Sequence, residues 1–264
     1  MKKLLLTTVI SVLSLNAAHA YQAELTGGIV YAGADVPGGT DESIGGAVAG
    51  TYYFNAVQAQ SGPLAEAAFI ERASNVNAGY AYVQSDTSDF KVHGFYLGGE
   101  FYVPNTNFYA AADFDTAKVE GIDLRGVEYN AKVGYLPITN LLLTVGANGF
   151  IDLPGSDDVN PTVSAKYLTK IGNNDVNLEG DAVFTNNGDT YTISGDYYVD
   201  RTLSLGASAS TKTDQVDDSY EFGINARQFV TNNISVQGGL TVGKDGTVGS
   251  PDNVGVVLAG TYRF

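Results

Sequence analysis

The last twelve residues read Asn253-Val-Gly-Val-Val-Leu-Ala-Gly-Thr-Tyr-Arg-Phe264, and their alternation decides the fold. Val254, Val256, Leu258, Tyr262 and Phe264 fall on one parity, with Gly260 between them. Gly255, Ala259, Thr261 and Arg263 fall on the other, with Val257 as the exception. A β-strand repeats every two residues, so the two sets stand on opposite faces. The apolar face ends in two aromatics at the last residues, where a soluble sheet would fray. Such a strand fits an apolar solvent better than water.

At the other end, Met1-Lys2-Lys3 precedes an apolar run from Leu4 to Leu15 and then Ala17-Ala18-His19-Ala20. A charged start, a short apolar core and an A-x-A site at Ala18–Ala20 predict a signal peptide over residues 1–20, cleaved after Ala20. The apolar run is too short to span a bilayer comfortably, and no other stretch approaches the roughly 18 apolar residues of a membrane helix. The mature chain then begins at Tyr21 and leaves the cytoplasm.

Composition narrows the class. There is no cysteine, which excludes disulfide and thiolate chemistry. Charged residues make up only 16% of the chain, against a typical quarter. Gly (32) and Tyr (17) are plentiful and Trp is absent, which suits a barrel that is apolar outside and sparsely charged within. Loss of Lys2 and Lys3 leaves 12 basic against 29 acidic residues, a net charge of −17. A chain this acidic repels nucleic acid.

Helical periodicity is nearly absent. Alternating segments of about ten residues, the signature of membrane strands, predict strands at 22–33, 43–54, 72–84, 91–103, 107–117, 123–136 and 141–152. Seven more follow at 159–169, 175–185, 190–199, 202–212, 218–229, 233–243 and 253–264. Fourteen is an even count, as a closed antiparallel barrel requires. The connections fall into two kinds. Tyr102–Asn107, Tyr135–Asn140, Ile171–Asp175, Tyr198–Thr202 and Phe229–Asn233 are tight turns rich in Asn, Asp and Pro. The alternate ones, Asp35–Glu42, Ser85–Asp89, Leu153–Asp158, Asn186–Asp189, Asp214–Asp218 and Lys244–Asp252, are acidic and mostly longer. The first kind reads as periplasmic and the second as extracellular.

The predicted architecture is therefore all-β, a closed antiparallel transmembrane barrel of about 14 strands over residues 21–264. Tyr52, Tyr53, Phe54, Phe101, Tyr102, Phe108, Tyr109, Tyr135, Tyr197, Tyr198, Phe229, Tyr262 and Phe264 cluster beside the tight turns. That clustering predicts an aromatic girdle at the membrane interface. The closing strand resembles that of bacterial outer-membrane barrels, whose assembly machinery reads a terminal aromatic; Tyr262 and Phe264 would be that signal.

Charges keep to one parity within each strand. A basic side chain facing lipid costs about 2–4 kcal/mol at mid-bilayer, so the charged parity is expected to face the lumen. The pore-lining candidates are Glu24, Glu100, Asp113, Asp115, Glu128, Lys132, Lys166, Glu179, Asp181, Glu221, Arg227 and Arg263. Their acidic excess predicts a weak preference for cations.

One segment breaks the pattern. Residues 58–71, Gln-Ala-Gln-Ser-Gly-Pro-Leu-Ala-Glu-Ala-Ala-Phe-Ile-Glu, favour a helix beginning near Pro63. The segment falls where a short periplasmic turn is expected. Two dispositions are open: a helical turn capping the lower rim, or a partial plug with Glu66, Glu71 and Arg72 at the constriction.

Tyr21-Gln-Ala-Glu, Tyr52-Tyr-Phe, Gly62-Pro-Leu-Ala-Glu-Ala-Ala-Phe and Arg72-Ala-Ser-Asn-Val together resemble the gammaproteobacterial outer-membrane "putative porin" family, which includes the small channel proteins of Acinetobacter. The resemblance implies a fourteen-stranded barrel with a water-filled channel, and it brings no catalytic motif.

Other chemistry is thinly supported. His93 is the one histidine outside the signal peptide and would have to serve alone as a general base. Asp157-Asp158 and Asp217-Asp218 lack metal-ligand spacing and read as solvated loop charge. The expectation is a porin with no catalytic residue, no metal and no cofactor. Its expected partners are outer-membrane lipid and lipopolysaccharide, the barrel-assembly machinery, and small solutes and ions. The alternative is a non-conducting structural or adhesin barrel that presents acidic loops to host or envelope partners.

Overall fold

Fourteen alternating segments pair with their sequence neighbours, and the last returns to the first. The computed structural model describes residues 20–36, 39–86, 91–121, 126–151, 159–186, 188–213, 218–244 and 252–264. The expected signal peptide, apart from Ala20, lies outside the described residues, as do Asp157, Asp158 and Asp217. The strands are β1 (Tyr21–Val36), β2 (Gly39–Val57), β3 (Asn75–Ser85), β4 (Lys91–Tyr102), β5 (Phe108–Val119), β6 (Val127–Ile138) and β7 (Leu141–Ile151). The second half comprises β8 (Val159–Ile171), β9 (Asn174–Val183), β10 (Thr190–Tyr198), β11 (Leu203–Lys212), β12 (Ser219–Phe229), β13 (Ile234–Lys244) and β14 (Asp252–Arg263). All are antiparallel, and β14 closes the barrel on β1 through pairs such as Thr26 with Thr261 and Glu24 with Arg263. Closure leaves no unpaired edge, which a membrane-spanning sheet cannot tolerate.

Alternation sets the faces as the sequence requires. Ile29, Val48, Phe95, Leu97, Val145, Ile193, Ile224 and Leu258 stand exposed on the outer surface, which in water would be a liability and in acyl chains is a match. The tight turns, together with both strand ends near Tyr21 and Phe264, lie at one end of the barrel, which is therefore the periplasmic one.

The buried core is not distributed along the barrel. Among the described residues it forms two clusters at the periplasmic end: Tyr21, Tyr53, Val57, Ala67 and Ala73, and Tyr102, Tyr109, Leu136 and Leu142 with Phe69 against them. Both clusters contain residues of the segment that breaks the strand pattern. Leu64–Glu66 form a 3-10 turn that runs into one α-helical turn, Ala67–Ile70. Pro63 precedes them and is fully buried.

The expected girdle divides on parity. Tyr52, Phe54, Phe101, Phe108, Tyr135, Tyr197 and Phe264 are exposed on the outer face, as a girdle needs. Tyr53, Tyr102, Tyr109, Tyr198 and Phe229 are instead buried and face inward. The reason is steric: neighbouring residues of a strand point to opposite faces, so of Tyr52-Tyr53 or Phe101-Tyr102 only one can meet lipid.

Candidate functional site

The inner wall is built rung by rung. Ser194, Ser208, Gly223, Thr241 and Gly255 are successive register partners across β10 to β14, giving one side of the lumen a small, hydroxyl-bearing lining. Most of the inward charge lies on the other strands. Asp113 and Asp115 on β5, Glu128 on β6 and Glu100 on β4 share the inward parity, and Asp115 is paired in register with Glu128. Lys132 faces the same space two residues beyond Asn130. Glu179, Asp181 and Lys166 continue the wall on β9 and β8. Glu221 and Arg227 lie inward on β12, and the Arg227 Nε donates to Gln237 Oε1 at 2.9 Å. The candidates chosen on parity thus lie on one side of the sheet, joined there by Asp196 on β10, which the sequence reading missed.

At the periplasmic end residues 58–74 fold into this lumen. Glu66 is buried, and its Oε2 lies 2.9 Å from Lys166 Nζ while its Oε1 accepts from the Tyr198 hydroxyl at 2.7 Å. Lys166 also pairs with Glu179 at 2.8 Å and lies 4.9 Å above the Phe69 ring. From the opposite wall Arg263 donates from Nη1 to the Leu64 carbonyl at 2.8 Å. Its Nε makes an ion pair with Glu24 at 2.8 Å, and its guanidinium lies between the rings of Tyr21 and Phe229, at 4.5 and 4.6 Å. The β10–β11 turn adds Arg201, whose side chain donates to the Gly62 carbonyl at 3.0 Å and the Ala59 carbonyl at 2.6 Å. The segment therefore touches walls on both sides of the barrel. A polar cavity of roughly 410 Å³ lies against it, lined by Glu66, Glu100, Tyr109, Lys132, Lys166 and Asp181 among others.

Of the three residues expected at a constriction, Glu66 alone reaches into the lumen. Glu71 accepts from the backbone N–H groups of Gln58 and Ala59 at 2.8 and 2.9 Å, closing the base of the segment. Arg72 donates to the Thr106 carbonyl and Asn107 Oδ1, tying that base to the β4–β5 turn. Arg201 and the inward tyrosines were not foreseen as part of this site.

His93, the candidate base, faces outward. Its Nδ1 lies 2.8 Å from the Tyr80 hydroxyl and its Nε2 3.2 Å from Glu120 Oε1. That contact holds the Glu120 carboxyl below the usual range, with Lys91 nearby adding to the effect. Among the described residues no serine or threonine hydroxyl is bonded to His93, and no group of three or more His, Cys, Asp and Glu could hold a metal.

This arrangement has relatives. A family model described as "Putative general bacterial porin" matches residues 1–160. The crystal structure of the Acinetobacter baumannii outer-membrane protein Omp33 is 26% identical, with a TM-score of 0.68 over 94% of this chain and 100% of that one. The Pseudomonas putida toluene transporter TodX (10% identical, TM-score 0.53, 94% of this chain and 91% of that one) shares the fold alone. So does the translocator domain of the Neisseria meningitidis autotransporter NalP (11% identical, TM-score 0.50, 100% and 95%). Among curated proteins no sequence matches. The closed barrel with its polar lumen and the match over more than half of the chain agree: this chain belongs to the general bacterial porin family, a family of outer-membrane β-barrels.

Proposed function

We propose that the barrel is a passive channel for small hydrophilic solutes and ions, weakly selective for cations and narrowed at its periplasmic end by residues 58–74. The observation that carries this reading is the sorting of the two faces. Charges and hydroxyls occupy successive inward rungs while the outward positions between the two rims are apolar, so the interior suits water and the exterior suits lipid. Asp113, Asp115 and Glu128 crowd adjacent strands with Lys132 as the nearby inward base. Their summed field raises the local cation concentration without binding any one ion tightly, which permits conduction. Selection by width, wall charge and hydration involves no turnover.

Reversal potentials across a salt gradient in planar bilayers test the selectivity. Asp113→Asn, Asp115→Asn and Glu128→Gln together should erase the cation preference, and an anion preference in the unaltered protein contradicts it. Liposome swelling with graded sugars tests the channel. The contacts of the inserted segment with both walls favour a second reading, a barrel that does not conduct and presents its loops to envelope partners. Absence of swelling even after residues 58–71 are removed would select that reading.

A further inference from the structure

The charges on the outer face are not scattered. Lys91 on β4 and Lys118 on β5 share the outward parity of Phe95, Leu97 and Phe101, and His93 between them is the register partner of Lys118. Ten residues separate Phe101, at the periplasmic rim, from Lys91. At a rise of about 3.3 Å per residue and a tilt near 40° they climb roughly 25 Å along the barrel axis, the height of the apolar band. Lys91 and Lys118 therefore emerge at the opposite interface, at headgroup depth, where a cation on the lipid face is tolerated.

The cluster is held in shape. Glu120 Oε2 lies 3.7 Å from Lys91 Nζ, and Glu120 Oε1 3.2 Å from His93 Nε2. The Tyr80 hydroxyl is 2.8 Å from His93 Nδ1, and the Tyr82 ring packs on the imidazole at 5.2 Å. Lys118 is exposed and has no carboxylate partner among the described residues. Among the described residues two ammonium groups thus face one carboxylate, on a chain whose total charge is strongly negative. Directly below, toward mid-bilayer, Phe95, Leu97 and Phe114 present a bare apolar surface. A cationic rim above an apolar wall matches an amphiphile with an anionic head.

We propose that this outward patch, Lys91 and Lys118 braced by His93 and Glu120, binds the phosphorylated headgroup of an outer-leaflet glycolipid, whose acyl chains lie against Phe95, Leu97 and Phe114. The lysines supply charge-assisted hydrogen bonds to phosphate oxygens, and Tyr80 and Tyr82 hold interfacial depth beside them. A free anion would gain the same lysines but none of the apolar wall, and would have to approach a strongly acidic molecule. The site is independent of conduction: it stands whether or not the barrel passes solutes.

Native mass spectrometry of the whole folded barrel in detergent tests it with three probes: lipid A carrying its phosphates, the same lipid A with the phosphates removed, and inorganic phosphate. Lys91→Gln with Lys118→Gln should weaken the phosphorylated lipid roughly thirtyfold, about fivefold for each lysine at a membrane surface. Lys244→Gln removes an outward lysine at the loop end of β13, several strands away, and should leave binding unchanged. Equal binding by the double variant, equal binding of the phosphate-free lipid, an equal loss in Lys244→Gln, or displacement of the lipid by millimolar inorganic phosphate would each overturn the assignment.

Discussion

Lys166 and Glu66 form an ion pair of 2.9 Å that joins the inserted segment to the β8 wall, across from the strand end where Arg263 grips the same segment. Glu66 is buried and Lys166 about a quarter exposed, so the pair is neither a surface ornament nor fully desolvated. Replacing Lys166 with Met leaves Glu66 and Glu179 facing one another without their shared cation. Loss of hydrogen bonds between charged groups costs about 1–3 kcal/mol, taken here toward the lower end because water reaches the lysine. The segment should dock less tightly, and planar-bilayer recordings should show a larger open fraction. Glu66→Gln, which keeps a carbonyl oxygen for the Tyr198 hydroxyl, should do less. Unchanged conductance in Lys166→Met would mean that the ion pair does not hold the constriction.

Gly62 has φ +70°, and a Cβ there would sit 2.7 Å from Ile70 Cδ1. Gly172, in the β8–β9 turn, has φ +64° with open space around it. Alanine at either position costs about 1–2 kcal/mol for the left-handed backbone, but only at Gly62 must the end of the Ile70 side chain also give way. Limited proteolysis of folded protein should therefore cut residues 58–74 faster in Gly62→Ala and no faster in Gly172→Ala. Equal rates in the two variants would show that the segment's packing does not depend on this close approach.

The turn that supplies Arg201 is held by Asp200. Its Oδ1 accepts from the Thr202 N–H at 2.6 Å, the Thr202 hydroxyl at 2.7 Å and the Leu203 N–H at 3.0 Å. These bonds hold the carboxyl below the usual aspartate range. A lowered folded pKa means that the stabilisation is complete above the ordinary aspartate value and is lost as pH falls through the lowered one. The grip of Arg201 on Gly62 and Ala59 should thus weaken only in strongly acid solution. In Asp200→Ala it should already be weak at neutral pH, so the acid-dependent rise in proteolysis of the segment should disappear. A wild-type rise beginning near neutrality would assign the effect to another group.

Much of this was legible in the chain. Period-two alternation located all fourteen strands, because a barrel wall in lipid forces the outward residues of the hydrocarbon band to be apolar and leaves the charges at that depth one side to occupy. Strand ends were harder: β2 begins at Gly39 and not 43, since long strands continue past the membrane into the loops, where alternation no longer reports on lipid. The inward course of residues 58–74 was left open, although a signal for it existed. Tyr52-Tyr53, Phe101-Tyr102, Phe108-Tyr109 and Tyr197-Tyr198 are adjacent aromatic pairs. One ring of each must face the lumen, and four inward tyrosines at one depth need something apolar to pack on. Tyr53 meets Ala67, Tyr102 and Tyr109 meet the cluster that Phe69 packs on, and the Tyr198 hydroxyl donates to Glu66. Arg201 carried no such signal, because its partners lie about 140 residues away in sequence and only closure of the barrel brings them together.

The orientation of the two faces is what makes the barrel a channel, and the chain's lack of cysteine makes it directly measurable. Ile193 and Ser194 are neighbours on β10; the first is 66% exposed on the outer face, and the second is paired inward with Ser208 and Glu179. Single cysteines at these positions, in barrels reconstituted into liposomes, can be challenged with a small charged maleimide and, after labelling with a fluorophore, with a lipid-borne quencher. Cysteine at 194 should react with the charged reagent and resist quenching, while cysteine at 193 should be quenched by lipid and react slowly. The reverse pattern would place the apolar faces inside and contradict the channel.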